Sequence, residues 1–436
     1  MAPAPGSEQP DRDHATLGSI LHICACTFVI CDRDIHRPHR AFRTNVRAPL
    51  WYGDPRLDSK RKYDVATILC LLYSDPAGGH PLTYARKAIP HIEMYADGRT
   101  TPSPTAIDFT PGELLGDVTG ALGLRKFLAA GGHSLIVLSD QDGFASRFDQ
   151  ELPEAEIVIS QACWTARLHA ERLARAHKLR LVITAGEGAH DIDLDAAARR
   201  GITVAEITNS STVSTAEYAI MLILSLVHNA DPSLAPARGQ VGRIADYARR
   251  AYDLEGMQVG ILGAGRVGLA VLKRLRPFDV GLHYSDPQRL SLAIEDDLRL
   301  TYHPNVAAMV PVCDVVSIQS PLHEGTARLF DADLVGRMKW GAYLVNTARR
   351  EICDPGAVSR ALETGRLAGY AEDTLLLRDT PVRIAGSTLS AQARFAAGVR
   401  EILECWFDNI PIRKDYVIID CGKPTGLGAR SYWMKL

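Results

Sequence analysis

The sequence predicts an α/β protein of doubly wound parallel sheets, and two patterns carry that expectation. The first is a succession of short, continuously apolar runs with helical stretches between them. VATILCLLY from Val65, HSLIVLSD from His133, AEIVISQ from Ala155, LRLVITAG from Leu179 and ITVAEI from Ile202 lack the alternation of a half-solvated sheet, so each reads as a strand covered on both faces. The second pattern begins at Met257, where the strand-like QVGIL runs into Gly263-Ala264-Gly265-Arg266-Val267-Gly268 and on into the helical LAVLKRL. Between the two lies STAEYAIMLILSLVHNA, from Ser214, a helix apolar nearly all round and therefore expected between two layers. Three more strands, in DVVSIQSPLH from Asp314, GAYLVNTARR from Gly341 and RLAGYAEDTL from Arg366, each end in polar residues. Open α/β sheets bind ligands there, outside the carboxyl ends of the strands.

The glycine segment is the strongest chemical signal in the chain. Gly263 permits a tight turn, Gly265 lets the backbone approach a pyrophosphate, and Gly268 lets helix and strand pack closely. The helix N-terminus adds amide donors and partial positive charge. Asp286, which ends the next strand, VGLHYSD, stands where an acid bonds the adenosine ribose hydroxyls and repels a 2′-phosphate. NAD is the expected cofactor.

Composition narrows the partners. With 436 residues, 46% apolar and 23% charged, the chain has the make-up of a globular protein of at least two domains. A net charge of −2 supplies no overall basic field, which argues against nucleic acid or an anionic membrane and favours a small-molecule substrate. LGSILHICACTFVIC is too short to span a bilayer. The nine cysteines form no C-x-x-C pair and no Cys/His cluster at zinc spacing, so reduced, mostly buried thiols in the cytoplasm are expected and no metal site is assigned. Residues 1–62 read as an extension. An interaction arm, a dimer-wrapping segment or a start codon assigned too early each fit it better than a metal site made of Cys24, Cys26, His36 and His39.

From Val65 to Tyr432 the chain resembles the NAD-dependent formate dehydrogenases, a branch of the D-2-hydroxyacid dehydrogenase family. The resemblance rests on TYARKAIPHIEMYADGRTTPSPTAIDFTPGELLG, GALGLRKFL, YDLEGMQVG, RLRPFDVGLHYSD, PVCDVV, GAYLVNTAR, ALETGRLAGYA and AQARFAAGVREILECWF. It implies two Rossmann-like, doubly wound parallel-sheet domains. A catalytic domain over 63–210 would be completed by a C-terminal return over 386–436, with an NAD-binding domain over 211–385 between them. It also implies a homodimer.

Carried over residue by residue, the resemblance makes Arg349 the anchor for a substrate carboxylate and sets Asp373 near the nicotinamide carboxamide. It places Arg266, Val267, Asp286, Pro321, His323 and Thr347 around the cofactor. The substrate pocket departs from the family. Glu187, in TAGEG, replaces an isoleucine and would bring a carboxylate to where formate's own would lie, a costly encounter in a desolvated pocket. Ser211 replaces the asparagine that grips formate, Ala162 and Cys163 replace a Pro-Phe pair on the wall, and His190-Asp191 stands for Asp-His. Arg350 replaces a glycine, and Arg430 replaces a histidine at the adenine end. Most telling, Arg383 in VRIAGSTL occupies the position of the catalytic histidine, and the preceding loop is shortened past the glutamine that pairs with it. No histidine follows His323.

Without that base, oxidation of a hydroxy acid loses help worth roughly 10²–10⁴ in rate. Formate needs it less, being already ionised, yet Glu187 and Ser211 disfavour formate. The expectation is therefore an NAD-dependent oxidoreductase of altered specificity, anchored by Arg349, with Glu187 or His190 as replacement acid or base. An inactive NAD-binding paralogue, its pocket filled by a Glu187–Arg383 pair, and a residual formate dehydrogenase are the alternatives.

Overall fold

The computed structural model describes residues 65–72, 123–140, 146–161, 166–186, 188–189, 191–230, 250–377 and 380–425. The N-terminal extension, Ala162, Cys163, Glu187, His190 and Arg430 lie outside them. Side chains of 375–382 are likewise outside the description.

Two sheets organise the chain. The first holds β1 (Thr67–Leu71), β2 (Ser134–Leu138), β3 (Ile157–Gln161), β4 (Leu181–Ala185) and β5 (Thr203–Glu206), all parallel, in the order β2-β1-β3-β4-β5. The second holds β6 (Gln258–Leu262), β7 (Gly281–Ser285), β8 (Leu300–His303), β9 (Val315–Ile318), β10 (Ala342–Asn346) and β11 (Leu367–Glu372), also all parallel. Its order, β8-β7-β6-β9-β10-β11, is the doubly wound arrangement of a dinucleotide-binding sheet, with the topological switch between β6 and β9. Past β11, a short β12 (Leu375–Leu377) and β13 (Thr380–Val382) pair with each other. The chain then returns to the first sheet, where β14 (Val417–Asp420) pairs antiparallel with β5 and β15 (Lys423–Pro424) closes the edge.

Burial explains why the strands read as unbroken apolar runs. Along β1, Ile68 and Cys70 join one core with Ile159 and Ile183, while Leu69 and Leu71 join another on the opposite face with Val158 and Val182. Successive side chains point to opposite faces, so a strand covered on both sides is apolar at every position. The second sheet repeats the arrangement, with Val259, Ile261 and Val345 on one face and Val316, Ile318 and Leu344 on the other.

The Leu389–Phe407 helix seals one face of the first sheet through Phe395, Val399, Ile402 and Leu403. Its Gly398 is obligatory in that contact, because a Cβ there would stand 2.4 Å from Ile207. The Thr212–Val227 helix buries Ala216, Ala219, Ile223 and Val227 against the second sheet, as its apolar character predicts. Among the described residues, Met221 on the same helix is 47% exposed. Among the described residues no helix is long and apolar enough to cross a membrane, and no three metal-ligating side chains cluster. Cys70, Cys313 and Cys353 are buried, and burial pushes each thiol up to about 12.

A buried ion pair braces the first domain. Arg172 and Asp149 are each about 95% covered, and the guanidinium donates from Nε to Oδ1 at 3.0 Å and from Nη2 to Oδ2 at 2.6 Å. Burial pushes the Asp149 carboxyl up, but Arg172, Ser146 and Arg175 outweigh it and hold it below the usual range. Arg172→Met would strand the carboxylate with Arg175 as its remaining cation. The unfolding free energy from urea titration at pH 7 is expected to fall by about 3 kcal/mol. Asp149 stabilises the fold above its unfolded pKa and loses that contribution as pH falls through its depressed value, so the deficit should shrink in acid.

Candidate active site

The crevice between the sheets' carboxyl ends is built first by glycine. Gly263 holds φ +88°, and a Cβ there would come within 2.8 Å of the Ser320 backbone nitrogen. Gly268 approaches still more closely, its notional Cβ standing 1.9 Å from the Gly263 carbonyl oxygen. Gly265 caps the Arg266–Leu275 helix without a side-chain partner and faces open space. Gly263 thus takes the positive φ of a tight turn and Gly268 the close packing of helix on strand, while Gly265 faces open space. Asp286, at the end of β7, accepts from the Ala264 amide at 2.7 Å and the Gln288 amide at 2.7 Å. Both bonds tie the end of β7 to the glycine loop and the turn beyond it.

Arg266 reaches across the crevice. Its Nη1 donates to Glu206 Oε1 at 2.8 Å, and Glu206, fully buried at the end of β5, takes the Gly188 amide on Oε2 at 2.8 Å. Glu206 escaped the sequence reading. A lone acid closing the otherwise apolar strand ITVAEI was the available signal.

The far wall of the cofactor crevice is the loop after β9. Thr326 Oγ1 donates to the Pro321 carbonyl at 2.7 Å and receives the His323 amide at 2.9 Å, which folds Pro321 and His323 into one compact turn. Thr347 is buried and donates from Oγ1 to Gln319 at 2.9 Å, joining the ends of β9 and β10.

Arg349 is positioned by Asn346, another residue the sequence reading did not single out. The Asn346 side chain donates to the Arg349 carbonyl at 2.9 Å and accepts the Ala348 amide at 3.0 Å. Arg349 Nη1 in turn donates to the Ala348 carbonyl at 3.2 Å. Arg383 Nη1 donates to that same oxygen at 3.1 Å. Two half-buried guanidinium groups therefore converge on one carbonyl.

Asp373 sets the second of them. The residue is 3% exposed, and its Oδ1 accepts the amides of Ile384 at 2.8 Å and Ala385 at 2.7 Å, directly after Arg383. Burial pushes its carboxyl up to about 6, against the pull of those amides and of the Arg349 charge. Ser211 lies against the same turn: a Cβ on Gly386 would be 3.2 Å from the Ser211 Cβ. Arg394 holds the Ser211 segment from behind, donating to the Ser210 carbonyl at 2.6 Å and the Ser214 hydroxyl at 3.2 Å.

Comparison with known proteins gives this geometry a family. Residues 220–383 match the model of the D-isomer specific 2-hydroxyacid dehydrogenase NAD binding domain. A formate dehydrogenase of Pseudomonas sp. (strain 101) is 50% identical over 382 residues, covering 84% of this chain and 95% of the relative. The chain belongs to the NAD-dependent formate dehydrogenase family. A Granulicella formate dehydrogenase structure superposes with a TM-score of 0.78 at 53% identity, covering 83% of this chain and all of that one. The NAD-dependent formate dehydrogenase of Staphylococcus aureus, solved with NAD, superposes at 0.63 and 31% identity, covering 81% of this chain and 99% of that one.

As a member of this family the protein is an NAD-dependent oxidoreductase with two parallel-sheet α/β domains. Its fold gathers Arg349, Arg383, Asp373 and Ser211 at one place, and Gly263, Gly265, Arg266, Val267, Gly268 and Asp286 at another, with Pro321, His323 and Thr347 on loops beyond β9 and β10. Glu187 and His190, the expected replacement acid or base, lie outside the described residues, although Gly188 beside them is tied to Glu206.

The raised Asp373 carboxyl makes a pH prediction. A folded pKa of about 6 against an ordinary 3.8 means that the neutral form stabilises the fold, fully below the unfolded value and no longer once pH has risen through about 6. Asp373→Asn keeps an acceptor for the two amides and abolishes the titration. Between pH 7 and pH 4 the parent should gain about 2–3 kcal/mol of unfolding free energy relative to the variant, measured by denaturant titration at each pH. Parallel stability curves for the two proteins would contradict this account.

Proposed function

We propose that this formate dehydrogenase homologue transfers hydride between NAD and a small acid other than formate, with the substrate carboxylate anchored on Arg349. The observation that carries the reading is Arg383 on the Ala348 carbonyl beside Arg349. The resemblance puts a catalytic histidine at that position, and a guanidinium donates hydrogen bonds but accepts no proton at any physiological pH. The site has exchanged a base for a second cation.

NAD, when bound, supplies the hydride acceptor. Gly265, the Arg266–Leu275 helix N-terminus and Asp286 would hold its pyrophosphate and ribose, with Pro321, His323 and Thr347 flanking the nicotinamide half and Asp373 at its carboxamide. Arg349 orients the carboxylate. Ser211 leaves more room than the family's asparagine, and Glu187 disfavours the smallest anion. On this reading residues 63–210 and 386–436 form the substrate domain around the NAD-binding residues 211–385, and the protein works in the cytoplasm as a homodimer. Met221 of the Thr212–Val227 helix, exposed among the described residues, offers an apolar contact for the second copy.

Calorimetry of NAD and NADH on the purified protein, followed by NADH absorbance with added acids, tests the reading. Cofactor binding without formate turnover is expected, with absorbance change on larger hydroxy, amino or aldehyde acids. Formate oxidation in the parent that climbs further in the Glu187→Ile, Ser211→Asn double variant would instead make the protein a residual formate dehydrogenase. Failure of both cofactor forms to bind would remove the hydride-transfer reading altogether.

A further inference from the structure

We propose that His283 and His303 form a chelating site for a divalent transition-metal ion at the edge of the second sheet, a site that takes no part in the reading of the substrate pocket. Register puts the two side chains together. In the parallel pairing of β7 with the edge strand β8, His283 stands opposite Thr301 and Ser285 opposite His303, so the histidines lie on a diagonal of one sheet face. His283 Nδ1 and His303 Nε2 approach to 3.0 Å, with the ring centroids 5.2 Å apart, and both rings are half-buried.

Gln258 sets the state of the first ring. Gly281 has no side chain, and the Gln258 carboxamide fills that space, with Oε1 standing 2.1 Å from where a Cβ would lie. From there Oε1 accepts from His283 Nε2 at 2.8 Å, while the Gln258 amide nitrogen reaches the Gly256 carbonyl at 3.4 Å. A neutral imidazole that donates from Nε2 keeps a lone pair on Nδ1, and this one is aimed at His303. Burial lowers the proton affinity of both rings, and the His303 and Lys339 charges lower that of His283 further. A hydrogen-bond acceptor behind one imidazole is the outer-shell support that orients a metal-ligating histidine. What joins the rings without metal is a single proton. An ion at about 2.1 Å from each nitrogen, in tetrahedral geometry, would set them about 3.4 Å apart, slightly beyond the present spacing and within reach of a small ring rotation. On binding, His303 moves its proton from Nε2 to Nδ1 through solvent, so both facing nitrogens present lone pairs and no net proton is lost. Imidazole pairs favour Zn²⁺, Ni²⁺ and Cu²⁺ over Mg²⁺ and Ca²⁺. No third metal-ligating side chain joins them among the described residues, so water completes the coordination and the ion is an exchangeable clip between β7 and β8.

The test strips the full chain with a chelator and titrates it with Zn²⁺ by calorimetry at pH 7. The parent should bind an equivalent whose affinity falls at least about 100-fold in His283→Gln and equally in His303→Gln, because one imidazole alone loses the chelate. Gln258→Leu should weaken it about 10-fold without removing it. Mg²⁺ should give no heat at this site. Zn²⁺ should raise the melting temperature of the parent more than that of either histidine variant. The electron paramagnetic resonance spectrum of Cu²⁺ on the parent should show coupling to two imidazole nitrogens, reduced in each variant. Ions held by other cysteines and histidines appear equally in parent and variants, so the difference between them is the readout. His303→Gln changes only the edge strand and carries the test should His283→Gln fail to fold. Parent affinity retained in His303→Gln, unchanged copper coupling, or no Zn²⁺ bound by the parent at micromolar concentration would each overturn the proposal.

Discussion

The Asp373 carboxylate is the constraint on which the site depends. It stands just past β11 and accepts two successive amides from a segment on its way back to the other sheet. Everything after that point takes its bearings from this bond: the Arg383 side chain, the Gly386 contact with Ser211, the Thr388 cap and the long Leu389–Phe407 helix on the first sheet. Burying a carboxyl to 3% exposure costs free energy, visible in its raised pKa, and two short amide bonds offset part of that cost. A group held at such expense positions its neighbours accurately because few other arrangements satisfy it.

A comparable bond spans the crevice on the other side. Glu206 closes β5 of the first sheet and binds Arg266 from the glycine loop of the second, while its other oxygen holds Gly188. One buried carboxylate therefore connects the loop that would cradle phosphates with the loop that carries Glu187. Such a residue is polar and at the carboxyl end of a strand, where doubly wound sheets place their chemistry.

Much of this was legible because burial on both faces writes itself into sequence. The strands β1, β3, β4, β6, β9 and β10 are short, mainly apolar runs without the alternation of a half-solvated sheet, and the glycine spacing marks its own turn through steric need at Gly263 and Gly268. Two strands were not: β8, reading LTYH, carries no residue that is fully buried, and β14, reading VIID, declares nothing of its antiparallel pairing with β5 some two hundred positions earlier. Pairing at that separation is a property of the whole chain, not of a local window. The same holds for the site. Arg349 and Arg383 were each singled out on resemblance, but that they share the Ala348 carbonyl follows from Asn346 and Asp373, which no local pattern marks.

The proposed function turns on Arg383, which the resemblance sets where the family has its catalytic histidine. A histidine poised near neutral pH can take or give a proton as hydride moves; an arginine offers only fixed positive charge. Exchanging the first for the second removes proton transfer from the wall of the pocket and adds attraction for negative charge at the same place. Chemistry that needs a base there becomes harder, and chemistry limited by gathering and orienting an acidic ligand becomes easier. On the same resemblance, the loop before Arg383 is shortened past the glutamine that pairs with the histidine. The bonds from Asp373 to the Ile384 and Ala385 amides fix the turn that carries Arg383, and the Arg383 guanidinium donates to the Ala348 carbonyl.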